Sequence, residues 1–219
     1  MKLTVRHIAA VLLAAGALGS ALPAAAQEAG ETNRMLLAAA KDGDRASVVA
    51  ALERGAAVDA ANRIGDTALL TACKKGDADI ARTLVEHGAN VGHANAPGVT
   101  PLMAAAYYGY DPIVALLLAH GADPLATDRV GKTAMEYAAG EGRTQAVKQL
   151  LDAGIDVNRR YKNDLTALMW AAGYDRADTV KLLLARGADE SLKDNRGMTA
   201  MDIAAQTKSN QVAGLLSAH

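Results

Sequence analysis

The chain has 219 residues, a formal net charge of −1, and hydrophobic residues at 51% of its positions, with one Trp, six Tyr and no Phe. A core rich in alanine and poor in aromatic residues argues against a β-sandwich or barrel, which relies on aromatic and β-branched residues. The balanced charge gives no sign of disorder or of a nucleic-acid partner, and a single cysteine excludes an intramolecular disulfide framework and a multi-cysteine metal site.

The amino-terminal segment, residues 1–26, has the composition of a secretory signal peptide. Lys2 and Arg6 precede an uncharged apolar stretch, and Pro23 is followed by the small residues that a signal peptidase requires. We predict cleavage after Ala26, then a short linker over residues 27–32. The alternative is an uncleaved anchor, because the uncharged stretch from Ile8 to Ala26 approaches the ~20 residues that span a bilayer. Its high alanine and glycine content and the interruption by Pro23 favour cleavage.

Cleavage predicts a periplasmic or secreted protein, from the bacterial envelope, with no stable membrane insertion. Loss of two of the 23 basic residues leaves 21 against 24 acidic residues, so the mature chain has a net charge of −3. Any basic cluster on its surface therefore stands out against an acidic body.

A repeat with a period of 33 organises the rest of the chain. Strings such as GVTPLMAAAYYG and GKTAMEYAAGEG align around threonines spaced by 33, and such a period is typical of stacked repeats. The aligned threonines are Thr67, Thr100, Thr133, Thr166 and Thr199. With irregular outer units, the pattern predicts about six repeats, over residues 33–60, 61–93, 94–126, 127–159, 160–192 and 193–219.

Each unit is predicted to contain two short helices and an extended turn. Thr100 suits the N-cap of the first helix, and Gly109 suits the left-handed residue that ends it. Asp111 and Pro112 are predicted to open the second helix as N-cap and first residue, and Gly121 to end it. The residues before each aligned Thr form what we call the turn tip. Neither helix is long enough to be stable alone, so stability must come from stacking.

These features resemble the ankyrin-repeat family, whose units have the same period and carry the motif T-P-L-H-x-A. GVTPLMAAAYYG followed by LLLAHGADP is a specific match, and the resemblance covers residues 33–219. It implies an all-α ankyrin-repeat solenoid of helix-turn-helix units with β-hairpin-like turns. Asp164 and Asp175 stand where the preceding units have Gly. The His of the family motif is absent, which puts its hydrogen bonds between repeats in question; its positions hold Leu70, Met103, Glu136, Met169 and Asp202.

No motif indicates a catalytic centre, a cofactor or a metal site. Cys73 stands where other units have Ala, so we expect a buried and unreactive thiol. His87 and His120 are one full period apart, but equivalent atoms of stacked helices lie about 8–10 Å apart, too far for two zinc bonds of about 2 Å each. Both precede a terminating Gly, so we expect them to cap the last helical carbonyls.

The aromatic residues are concentrated in three consecutive units, between Tyr107 and Tyr174. Helical spacing places several of them on the exposed side of the first helices. In ankyrin-like proteins this side forms the concave recognition groove, and Tyr and Trp often dominate interface energies. The alternative is packing between repeats. The predicted binding residues on this side are Lys75, Tyr107, Tyr108, Tyr137, Trp170 and Tyr174.

The turn tips are repeatedly basic although the mature chain is acidic, which favours an anionic partner surface. The alternative is that charge merely keeps these exposed turns solvated. Tyr161 replaces the Asn or Asp of the other tips with no visible gain for folding, so we predict a binding role there. The predicted contact residues of the tips are Arg129, Lys132, Arg160, Tyr161 and Lys162, and Arg63, Lys193 and Arg196 share the pattern.

The sequence therefore predicts an exported, non-catalytic module that binds a protein partner with an acidic surface through the concave face and the turn tips. A binder of an acidic envelope polysaccharide is the alternative, and steep salt dependence without capture of a protein would distinguish it. An enzyme with an unrecognised groove site is the third possibility.

Overall fold

The computed structural model describes residues 26–216; residues 1–25, most of the predicted signal peptide, and residues 217–219 lie outside it. Within the described part no strand forms, and no helix is both long and apolar enough to cross a membrane. Its twelve α-helices are α1 (26–42), α2 (Arg45–Glu53), α3 (Ala68–Lys75), α4 (Ala78–Glu86), α5 (Pro101–Tyr108), α6 (Asp111–Ala119), α7 (Ala134–Glu141), α8 (Thr144–Asp152), α9 (Ala167–Gly173), α10 (Ala177–Ala185), α11 (Ala200–Thr207) and α12 (Asn210–Leu216).

The helices stack in two layers, as expected for a solenoid of helix pairs. The odd-numbered helices from α3 to α11 pack against one another, and the even-numbered helices from α2 to α12 form the second layer. Many of the buried residues of these helices are alanines, and Ala40, Ala72, Ala106, Ala139 and Ala172 are fully buried. Small residues allow neighbouring helices to approach closely, so the alanine-rich composition is explained by this packing.

The helix starts follow the predicted chemistry. The hydroxyl of Thr100 accepts a hydrogen bond from the Met103 amide at 3.2 Å, and Thr67, Thr166 and Thr199 cap their helices in the same way. Gly109 ends α5 with φ 76°, in the left-handed conformation that glycine adopts without strain. The all-α prediction and these caps are confirmed.

The start of the second helix differs from the prediction. Tyr110, not Asp111, is the N-cap of α6, and it makes no side-chain capping bond. Asp111 is the first helical residue and Pro112 the second, so the predicted capping role of Asp111 is wrong. The sequence suits both positions for another reason: a carboxylate is favoured in the first turn by the helix dipole, and Pro lacks an N–H that would have no partner there.

The amino-terminal helix extends further than expected. Residues 27–32, predicted as a linker, belong to α1. Thr32 is only 2% exposed, its hydroxyl donates to the Ala29 carbonyl at 3.0 Å, and Leu36 one turn later is fully buried. A helix that buries residues on this side gains packing that a linker would lack, which explains why helix continues through the segment.

The turn tips are closed by pairs of backbone hydrogen bonds, and one isolated β-bridge joins Ala61 to Thr67. In each tip the amide of the Asn, Asp or Tyr residue donates to the carbonyl four residues later, as from Asp128 to Lys132 at 3.0 Å and from Tyr161 to Leu165 at 2.8 Å. The hairpin-like turns predicted from the family resemblance are therefore short loops in the described residues.

Two residues singled out for chemistry have structural roles. Cys73 is fully buried, and burial raises the pKa of its thiol far above the usual range, which makes a reactive thiolate unfavourable. His87 follows α4, and its Nδ1 lies 2.7 Å from the Thr83 carbonyl oxygen, which confirms the capping prediction for this residue. The same prediction for His120 is wrong, because its side chain makes no hydrogen bond within the described residues. Within residues 26–216, no group of three His, Cys, Asp or Glu side chains is placed to hold a metal ion.

Candidate functional site

The exposed side of the odd-numbered helices carries the aromatic residues, and we call it the first-helix face. Tyr107 and Tyr108 end α5 and are 38% and 44% exposed, and Tyr174, which follows α9, is 52% exposed. Tyr137 on α7 and Trp170 on α9 are half-buried against the core. The predicted band thus combines exposed rings with rings that also pack between repeats.

These rings form two clusters. Tyr107 packs edge-on against Tyr108 and Tyr137, with ring centroids 5.0 and 5.8 Å apart. Trp170 and Tyr174 are stacked almost parallel at 6.1 Å. Such arrangements stabilise aromatic pairs by about 0.5–1.5 kcal/mol beyond area burial, and they fix the ring positions before any partner arrives.

A cleft adjoins each cluster. Cleft A is lined by Val99, Met103, Ala104, Tyr107, Tyr108, Tyr137 and Lys74. Cleft B is lined by Leu165, Met169, Trp170, Gly173, Tyr174, Ile203, Arg196 and Thr207. Both clefts open on the first-helix face and are mainly apolar, which suits them to apolar side chains.

Lys132 lies between the two clefts. Its ammonium is 4.3 Å from the centroid of the Trp170 ring and 5.3 Å from that of Tyr137, so it touches both aromatic clusters. A cation over a ring face is attracted to the ring by about 0.5–2 kcal/mol. In the part of the chain that the structure describes, the Lys132 ammonium makes no ion pair with a carboxylate.

The carboxylates near Lys132 are occupied by other groups. Asp128 Oδ1 accepts from the amides of Val130 and Lys132 at 2.9 Å, and Asp128 Oδ2 accepts from the Tyr137 hydroxyl. Burial and this hydrogen bond raise the pKa of Tyr137 well above its usual value, so the phenol stays protonated.

Glu136 replaces the family's His and is buried. Its Oε2 accepts from the Thr133 amide at 2.8 Å and from the Thr133 hydroxyl at 3.1 Å, which closes a capping box at the start of α7. Burial raises the pKa of Glu136 despite these bonds. Glu136 therefore fixes the helix start next to Lys132 and does not reach the surface.

Three of the predicted basic residues bond within the protein. Lys162 Nζ donates to the Val130 carbonyl at 3.0 Å, and Arg160 donates to the Lys193 carbonyl at 3.0 Å. Lys75 Nζ donates to the Lys41 carbonyl of α1 and does not line either cleft. Arg129 is exposed, and its side chain makes no hydrogen bond or ion pair within the described residues.

Tyr161 differs most from its prediction, because its ring is half-buried against the core and its hydroxyl is buried without a hydrogen-bond partner. Burial raises the pKa of this phenol. The expectation that Tyr161 brings no folding gain is wrong, since the ring contributes apolar packing. The tip instead lacks the side-chain acceptor of its sisters, and Asn163 and Asp164 both have positive φ, 61° and 60°.

Several residues of the face escaped sequence reasoning. Val99 and Leu165 line clefts A and B and share the repeat phase of Lys132, a regularity that alignment of the repeat units reveals. Ile64 and Val130 at the turn tips are 54% and 57% exposed. Lys74, not its neighbour Lys75, reaches cleft A, which depends on side-chain direction rather than on spacing.

Helix pairs stacked in two layers, with one layer presenting an exposed aromatic face, define a helical-repeat binding scaffold. The family model for ankyrin repeats (3 copies) matches residues 35–128 and 135–219. The chain therefore belongs to the ankyrin-repeat family, whose repeats are generally protein–protein interaction modules and typically not catalytic. Comparison with curated protein sequences gives no significant match.

Proposed function

We propose that this protein is an exported, non-catalytic module that holds a protein partner on its first-helix face and turn tips. The observation that carries the proposal is the exposure of Tyr107, Tyr108 and Tyr174 on one face, next to the unpaired ammonium of Lys132. Exposed aromatic rings gain most from burial in an interface, and Tyr and Trp dominate interface energies.

The rigidity of the face supports this function. Tyr107 is held by Tyr108 and Tyr137, and Tyr174 is held by Trp170. Ordering a free side chain on binding costs about 0.5–1.5 kcal/mol, and rings that are already held avoid most of that cost. Repeats that contact only their neighbours extend such a preorganised surface along the stack.

Charge indicates the partner's surface. Arg63, Arg129, Arg159 and Lys193 are exposed at the turn tips, and their side chains make no ion pair within the described residues. An acidic partner would be steered towards them and oriented by them. An acidic polysaccharide would be attracted by the same charges, but it would not use the apolar clefts A and B.

Export is part of the proposal and rests on the composition of residues 1–26. Amino-terminal sequencing of the protein recovered from the periplasmic fraction or the medium tests it, and we expect Gln27 as the first residue. Recovery of an intact amino terminus in the membrane fraction would instead establish the uncleaved anchor.

Affinity capture from envelope extract tests the binding function. The full chain is used as bait beside Tyr108→Ser/Tyr174→Ser, which removes two exposed rings, and Leu125→Ser, which removes a 38% exposed apolar residue from the loop after α6. We expect a stoichiometric protein partner with the full chain and with Leu125→Ser, and its loss with the double variant. Equal capture by all three, or salt-sensitive retention of polygalacturonate without a protein, would overturn the proposal.

A further inference from the structure

In three successive repeats, the residue just before the aligned Thr is first apolar, then cationic, then apolar again. Val99, Lys132 and Leu165 occupy the same phase, one repeat apart. Val99 lines cleft A and Leu165 lines cleft B, while Lys132 lies between them over the Tyr137 and Trp170 rings. The first-helix face therefore presents an apolar cleft, a cation and a second apolar cleft in sequence along the stack.

The cation is fixed and available. Its ammonium contacts two ring faces at 4.3 and 5.3 Å, and no carboxylate of the described residues pairs with it. Asp128 is engaged by two amides and the Tyr137 hydroxyl. Glu136 accepts from Thr133 through Oε2, and its Oε1 is buried without a hydrogen-bond partner and does not reach the surface. Arg196 of cleft B pairs with Asp194 at 2.7 Å and Lys74 of cleft A pairs with Asp66 at 2.6 Å, whereas Lys132 has no ion pair within the described residues.

We propose that this row of three residues binds an extended segment of the partner in which one carboxylate side chain lies between two apolar side chains. The carboxylate pairs with Lys132, and the apolar side chains enter clefts A and B. This inference rests on the proposed function and specifies the chemistry of the partner.

The spacing of the row sets the spacing in the partner. Stacked helices lie about 8–10 Å apart, and an extended chain in the polyproline II conformation has three residues per turn and rises about 3.1 Å per residue. Residues three apart therefore lie on the same side of the chain about 9 Å apart, so one repeat corresponds to three residues. The expected pattern is apolar-x-x-acidic-x-x-apolar. A carboxylate at the centre is favoured because it meets a cation that has already lost part of its freedom over the rings.

Selection from a displayed library of random twelve-residue peptides tests the pattern directly. The full chain, Lys132→Gln, Lys132→Arg and Lys148→Gln are used in parallel; Lys148 lies on α8 and pairs with Asp152 away from the face. We expect the apolar-x-x-acidic-x-x-apolar pattern with the full chain, Lys132→Arg and Lys148→Gln. With Lys132→Gln we expect the two apolar positions to remain and the acidic preference to disappear.

The selected peptide provides a quantitative test, because Trp170 is the only tryptophan of the chain and its fluorescence reports directly on the face. We expect replacement of the central Glu by Gln to weaken binding to the full chain about tenfold, and to have no effect on Lys132→Gln. Added salt should weaken only the Glu peptide bound to a chain with a cation at 132.

A selected pool without an acidic preference, or the same preference on Lys132→Gln, would overturn the inference. If envelope capture still yields a partner that depends on Tyr108 and Tyr174, the proposed function stands and only the peptide pattern fails. If neither experiment gives a protein ligand, both fail.

Discussion

The turn tips around Asp128 and Tyr161 occupy equivalent places in successive repeats, yet different interactions hold them. In the first, the Asp128 carboxylate accepts from two amides of its own turn and from the Tyr137 hydroxyl. In the second, the Tyr161 ring packs inward, the turn has no side-chain acceptor, and the two residues after Lys162 have positive φ. An aromatic contact has replaced the side-chain hydrogen bonds of the turn, while its backbone hydrogen bonds remain.

The links to the preceding tips differ as well. The Arg129 amide donates to the Pro97 carbonyl at 3.0 Å, a backbone bond between neighbouring tips. At the next junction the Val130 carbonyl accepts instead from Lys162 Nζ. The comparison teaches that neighbouring tips can be linked either by a backbone hydrogen bond or by a side-chain hydrogen bond, and that the repeat keeps its place in the stack in both cases. A join made by side chains is easier to deform.

The largest expected effect comes from substituting the turn-tip glycines, because the two junctions should lose different amounts of unfolding free energy. Gly98 and Gly131 have φ of 87° and 86°, but a Cβ at Gly98 would lie 2.9 Å from the Arg129 amide nitrogen, whereas one at Gly131 would meet only the Lys162 side chain at 3.3 Å. We expect Gly98→Ala to lower the free energy of unfolding by about 3 kcal/mol and Gly131→Ala by about 1 kcal/mol. Urea unfolding followed by circular dichroism measures both, and equal losses would contradict the proposed difference between the junctions.

Removal of the Asp128 carboxylate is expected to give the next largest loss in the free energy of unfolding. Asp128→Ala leaves two amides and the Tyr137 hydroxyl without their acceptor, so we expect a loss of about 2 kcal/mol in the free energy of unfolding. Asp128→Asn is the matched control, because Asn62 accepts equivalent bonds in another tip. It should lose less than about 1 kcal/mol, and a loss as large as that of Asp128→Ala would show that the negative charge matters more than the acceptor.

Removing the Tyr137 hydroxyl and removing the Tyr161 hydroxyl should change the free energy of unfolding in opposite directions. Tyr137→Phe takes a donor from Asp128 and should destabilise by about 1 kcal/mol, whereas Tyr161→Phe removes a buried hydroxyl that has no partner and should stabilise by up to about 1 kcal/mol. Thermal unfolding of both variants beside the parent protein tests the pair. Destabilisation by Tyr161→Phe would mean that the hydroxyl has a partner in solution.

The smallest expected effect is a change in how the stability of the protein depends on pH. Burial acts to raise the pKa of Asp194, but hydrogen bonds from Met198 and Arg196 outweigh it and leave this pKa below the usual range. The stability from Asp194 is therefore complete above its unfolded pKa of about 3.9 and is lost as the pH falls through the lower folded value. We expect Asp194→Asn to reduce the acid-induced fall in melting temperature, while Tyr161→Phe leaves that fall unchanged because a phenol does not titrate in the acid range.

Much of this architecture follows from local chemistry that a sequence displays. Threonine caps, Gly109 and the repeat period depend on neighbouring residues, so they are predictable. The inward turn of Tyr161 and the bond from Lys162 to Val130 depend on the space between repeats, which spacing alone does not reveal. The first-helix face falls between these cases: periodicity placed the aromatic residues on it, but only packing distinguishes exposed Tyr174 from half-buried Trp170.

The aspartate at position 175 has a consequence for how such an array evolves. Asp175 takes the left-handed conformation in place of glycine, with φ 58°, and its Oδ1 accepts from the Val212 amide in the first turn of α12 at 3.1 Å. The penultimate unit thus supplies the cap of the terminal helix. Duplication or exchange of units at this boundary would separate the Asp175 carboxylate from the Val212 amide, so the last two units are matched to each other.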